Sequence, residues 1–119
     1  MAWSFETDRP VYIQIAERIT MSVLSGEYLP GRQIPSVRQL ALEAAVNPNT
    51  VQRSFAELES LGIIVSGGTT GRFVTTDLKK IEENRKRVAE EIVGELLKKA
   101  KFLKLSPEQI ISMIEEEKK

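Results

Sequence analysis

Apolar positions recur along this chain first at helical spacing, then in two short β-branched runs, then at helical spacing again. Val11, Ile15, Ile19 and Val23 lie at four-residue steps, with Tyr12, Ala16 and Leu24 beside them. This spacing predicts a helix that begins near Arg9-Pro10 and ends at Gly26. Leu29-Pro30-Gly31-Arg32 reads as a turn, because proline and glycine each restrict or release backbone φ there. Ser36-Val37-Arg38-Gln39 then has the form of a capping box, and Leu40, Ala41 and Ala44 supply the buried side of a short second helix. Ala45-Val46-Asn47 is a tight link. Asn47 is an N-cap and Pro48 suits the first helical position of a third helix. Val51, Phe55, Leu58 and Leu61 form its inner stripe, and Gly62 stops it.

After Gly62 the pattern changes. Ile63-Ile64-Val65 and Arg72-Phe73-Val74-Thr75 are β-like runs separated by the turn-rich Gly67-Gly68-Thr69-Thr70-Gly71. Two short helices joined closely and followed by a hairpin predict a winged helix-turn-helix over residues 1–76. From Asp77 the helical period returns. Ile81, Val88, Ile92, Leu96 and Leu103 mark one stripe of a long helix over about 78–103, broadened by Val93, Leu97 and Ala100. Ser106, Pro107 and Gln109 open a last helix whose apolar face is Ile110, Ile111, Met113 and Ile114. The expected fold class is mainly α with a small β-hairpin: a winged helix-turn-helix followed by a two-helix dimerisation tail over 77–119. Two such amphipathic helices cannot fully bury their apolar faces on each other, so a partner surface is expected. The dimerisation set is Val88, Ile92, Leu96, Leu103, Ile110 and Ile114.

Composition narrows the function. The 119 residues contain no cysteine and no histidine, which removes disulfides, thiolate chemistry, the usual general base and the commonest metal ligand. The glycines at 67, 68 and 71 match neither dinucleotide-binding nor P-loop spacing. No enzyme, no cofactor and no metal site are expected. No apolar run approaches the length needed to span a bilayer, and the N-terminus lacks a signal-peptide pattern, so a cytoplasmic protein with no membrane partner is expected.

The outward face of the third helix and its approach carry Asn47, Asn49, Thr50, Gln52 and Arg53, side chains suited to base edges and phosphates. The net charge is +0. Residues 1–76 hold six arginines against seven acids, a balance that does not favour DNA. Yet Arg38, Arg53 and Arg72 fall on the second helix, the third helix and the wing, where local charge meets phosphate. Tyr12 and Gln14 are expected to brace the first helix, and Phe73 and Val74 to lie in the core.

The run Pro10-Val11-Tyr12-Ile13-Gln14-Ile15, with Gly26, Leu29-Pro30-Gly31 and Ile34-Pro35-Ser36-Val37-Arg38-Gln39-Leu40-Ala41, resembles the N-terminal domain of GntR-family transcription regulators. Asn49-Thr50-Val51, Leu58-Glu59, Leu61-Gly62-Ile63-Ile64 and Gly71-Arg72-Phe73-Val74 continue the resemblance in one register. It implies that Ser36 and Arg38 hold phosphates, that Asn49, Thr50 and Arg53 face the major groove or its backbone, and that Gly71 lets the wing approach the minor groove. Two departures stand out. Many members have Ser-Arg where this chain has Asn47-Pro48, and their wing has glycine at the place of Thr69 and threonine at that of Arg72.

Family members usually carry a large metabolite-binding domain, whereas about forty residues without strands leave no ligand pocket in this tail. The short tail resembles the YtrA subfamily, in which it dimerises the protein and whose members often repress transporter operons. The resemblance implies a homodimeric repressor that binds double-stranded DNA at an inverted repeat. The alternative from another class is a winged helix that docks a protein.

Overall fold

The computed structural model describes residues 3–119, and its elements follow the local chemistry closely. Helix α1 (Val11–Leu24) starts after Pro10, and its C-cap Ser25 precedes Gly26 at φ +87°. Helix α2 (Val37–Ala44) is capped by the Ser36 hydroxyl, which accepts from the Gln39 N–H at 3.1 Å. Only this half of the expected capping box forms among the described residues, and Gln39 stays exposed. Helix α3 (Pro48–Ser60) is capped by Asn47, whose Oδ1 accepts from the Asn49 N–H at 2.8 Å. Between them Ala45 takes a left-handed conformation, φ 58°. The Val46 N–H donates back to the Ala41 carbonyl at 3.0 Å, closing the α2 C-terminus without the usual glycine.

Strands β1 (Ile64–Ser66) and β2 (Arg72–Val74) pair antiparallel, with Val65 opposite Phe73. Residues 31–34 join them. Gly31 and Ile34 donate to the Val74 and Arg72 carbonyls, and the Val74 N–H donates to Arg32, so a stretch expected only as a turn lines the other edge of β2. Ile15, Ile19, Leu40, Val51, Phe55, Leu58, Ile63, Ile64 and Val74 are all buried in one core. Trp3 and Phe5 pack against it. Phe73 departs from expectation. It is half-buried, lying over Gly67 instead of in the core, because the pleat that buries Val74 turns its neighbour to the other face.

Helix α4 (Leu78–Phe102) is capped by Asp77, which accepts from the backbone N–H groups of Lys79 and Lys80 at 3.1 and 3.3 Å. Contacts divide the chain inside this helix, into a first unit ending at Asn84 and a second, Arg85–Lys119. In the first unit Ile81 joins the core, and the buried Asn84 amide donates to the carbonyls of Leu61 and Lys80 at 3.1 and 2.9 Å. In the second unit α4 is followed by Lys104 at φ 62°, and the Leu105 N–H reaches back to the Ala100 carbonyl at 2.8 Å. Helix α5 (Pro107–Glu117) opens with a complete capping box between Ser106 and Gln109. No helix among the described residues is long and apolar enough to cross a membrane.

Candidate nucleic-acid interface

The burial of α3 defines its outer face. Val51, Ser54, Phe55 and Leu58 point inward, which leaves Asn49, Gln52, Arg53 and Ala56 exposed. These four fall at i, i+3, i+4 and i+7, so three polar side chains share one solvent-facing stripe. Thr50 lies at its margin and is only half-exposed. Asn47 uses its side-chain oxygen as a cap, which leaves its amide N–H groups to donate outward. Ser36 likewise accepts a bond as a cap while its own hydroxyl proton remains to be donated, at a helix N-terminus that already favours anions.

The arginines differ in their partners. Arg9 is bridged by Glu6 and Glu17, with contacts of 2.8 Å to each. Hydrogen bonds from its guanidinium to Glu17 and then Glu6 hold its pKa above the ordinary value. Arg72 sits 3.6 Å from Glu59, with its guanidinium carbon 5.2 Å from the centre of the Phe55 ring. The wing arginine is thus turned onto α3, and its Nε is buried without a hydrogen bond. Arg38 and Arg53 differ. Both are exposed, and among the described residues neither is paired with a carboxylate. These two exposed cations stand on α2 and α3, beside the capping residues.

At the wing tip, Gly71 adopts φ 113°, ψ −157°, a region open essentially to glycine alone. A Cβ there would lie 2.7 Å from Nε2 of Gln33, which donates to the Thr70 carbonyl. Gln33 therefore fixes the wing, a role that nothing local in the sequence signalled. The buried Ser54 was missed for a similar reason: its hydroxyl reaches the Tyr12 carbonyl at 2.7 Å, across 42 residues. Among the described residues no group of acids could hold a metal ion.

The profile of bacterial regulatory proteins, gntR family, matches residues 11–74. The chain belongs to the gntR family. Its winged helix is a DNA-binding domain and its members are transcription regulators, not enzymes. This gntR protein is 34% identical over 110 residues to the uncharacterized HTH-type transcriptional regulator YhcF of Bacillus subtilis, covering 92% of this chain and 91% of that one. It is 32% identical to the HTH-type transcriptional repressor YtrA of Bacillus subtilis, covering 90% and 83% of the two chains. A GntR family transcriptional regulator from Listeria monocytogenes superposes with TM-score 0.86 at 33% identity, over 94% of this chain and 98% of that one. The winged-helix region also matches the DNA-binding domain of AraR solved in complex with operator ORR3, with TM-score 0.56 and 28% identity over 63% of this chain and 90% of that one.

On the tail of the gntR chain, Ile92 is 57% exposed, and Leu96, Leu103 and Ile114 are exposed too, while Val88 is half-buried. Ile110 is different. At 8% exposure it is already covered within the single chain, as is Ala100.

Proposed function

We propose that this gntR protein is a homodimeric repressor that binds an inverted-repeat operator and excludes polymerase from it by occupancy. The observation that carries the reading is the pair Arg38 and Arg53, exposed and, among the described residues, without acidic partners on the two helices of the helix-turn-helix. Unpaired guanidiniums answer the objection from zero net charge, because phosphate contact depends on local charge. Ser36 and Arg38 would hold phosphates, and Asn47, Asn49, Gln52 and Arg53 would meet base edges or backbone, with Thr50 at the margin. Gly71 would bring the wing near the minor groove, while Arg72 braces the wing against α3.

Two heads require a joining surface. Val88, Ile92, Leu96, Leu103 and Ile114 would supply it, with Ile110 shaping it from inside. Residues 1–76 would then act as the DNA-binding domain and 77–119 as the dimerisation tail. The repressor role is supported by similarity to YtrA, and operator binding by similarity to AraR.

Mobility-shift assays with genomic fragments at two salt concentrations test the reading, alongside sedimentation of the free protein. A dimer that shifts a palindromic fragment, more weakly at higher salt, is expected. A monomer, or a protein that shifts no fragment at either salt, would overturn it in favour of a protein-docking role.

A further inference from the structure

The guanidinium carbon of Arg53 lies 4.0 Å from the centre of the Tyr12 ring. We propose that Tyr12, in the first turn of α1, is a positioning residue that holds Arg53 in its DNA-contacting orientation. The proposal rests on the reading of Arg53 as a DNA contact given above.

The chemistry of the stack supports it. An arginine side chain has many rotamers, and ordering it upon binding reduces affinity. Stacking on an aromatic face fixes the plane of the guanidinium but uses none of its five N–H donors, which lie in that plane. A carboxylate would also order the side chain, but an arriving phosphate would have to displace it. The ring need not be displaced. Arg53 has the ring and, among the described residues, no carboxylate. The frame is rigid as well. Ser54, the next residue on α3, donates its hydroxyl to the Tyr12 carbonyl at 2.7 Å, so the backbone carrying the ring is tied to the helix carrying the arginine. Tyr12 itself is half-buried.

The test is a double-mutant cycle read by DNA affinity on a fixed fragment. Arg53→Ala alone should weaken binding, and if it does not, both the contact reading and this proposal fall. Tyr12→Leu should weaken binding roughly two- to fivefold, the scale of one exposed cation–π contact. Tyr12→Phe should restore the lost affinity, because the ring face is regained. In an Arg53→Ala background Tyr12→Leu should change affinity no further. An equal loss in both backgrounds would make Tyr12 a structural residue only and overturn the proposal while leaving the Arg53 contact intact. Should Tyr12→Leu not fold, the wild-type protein still decides. The Arg53 side-chain N–H resonances should show the ring-current shift of a stacked guanidinium, and their appearance at free-arginine positions would overturn the proposal.

Discussion

The Ser54 hydroxyl lies 2.7 Å from the carbonyl oxygen of Tyr12 and 3.1 Å from that of Thr50. Ser54 is fully buried among Val51, Phe55 and Leu58, so this small polar group is the fixed point between α1 and α3. Ser54→Ala should destabilise the winged helix by about 0.5–1.5 kcal/mol, because the hydrogen bond from α3 to α1 is lost while the Tyr12 carbonyl keeps its partner within α1. Urea unfolding measures this. A variant as stable as the wild type would show that the α1–α3 contact does not depend on this bond.

Among the described residues Arg38 has no ion pair, so its removal should act through phosphate alone. Arg38→Ala should weaken specific and nonspecific DNA to a similar degree and lower the slope of log affinity against log salt by about one unit. Titrations over a range of salt give the slope. Altered sequence preference at an unchanged slope would count against the phosphate assignment.

Gly71→Ala should cost about 1–3 kcal/mol, since alanine is strained at φ 113° and its Cβ would press on Gln33. The loss should appear as faster amide exchange at the wing, over residues 66–72, before any change in α1. Unaltered exchange there would mean that Gln33 moves aside without consequence.

Ile92 is exposed in the single chain, so Ile92→Glu should leave the fold of each chain intact and act on association alone. An unpaired carboxylate at the centre of the contact would weaken it by about 3–5 kcal/mol. Sedimentation should show a monomer of normal helicity, with binding to a full palindrome reduced to weak half-site binding. Ile110→Ala offers the contrast. It should lower the melting temperature of the chain itself, because that side chain is already buried.

Burial raises the Tyr28 phenol above its ordinary pKa of 10.0, and nearby Glu27 adds to the shift while Arg32 opposes it. A folded-state pKa above the unfolded one favours the native state fully below the unfolded value, and the gain is lost as pH rises through the folded value. The stability difference between wild type and Tyr28→Phe should therefore be constant below about pH 9 and turn against the wild type above about pH 10. Denaturant midpoints across that range measure it, and a constant difference throughout would refute the linkage.

The elements of this protein were legible in its sequence because their causes are local. Ser36, Asn47 and Ser106 cap helices through bonds to residues two or three positions away, and the stripes of α1 and α3 follow from 3.6 residues per turn. The gntR-like register of residues 10–74 was legible for the same reason, since its motifs sit at the caps, turns and core positions. The tertiary structure decided whatever depends on chain closure. It seated residues 31–34 beside β2, set Gln33 against the Gly71 wing, and turned Arg72 onto Phe55 and Glu59. It also left Arg53 on Tyr12 and covered Ile110 while Ile92 stayed open. No periodicity encodes these choices. Each is made by which distant surface the folded backbone brings within reach, and an arginine or isoleucine fits an exposed or a covered site until that surface arrives.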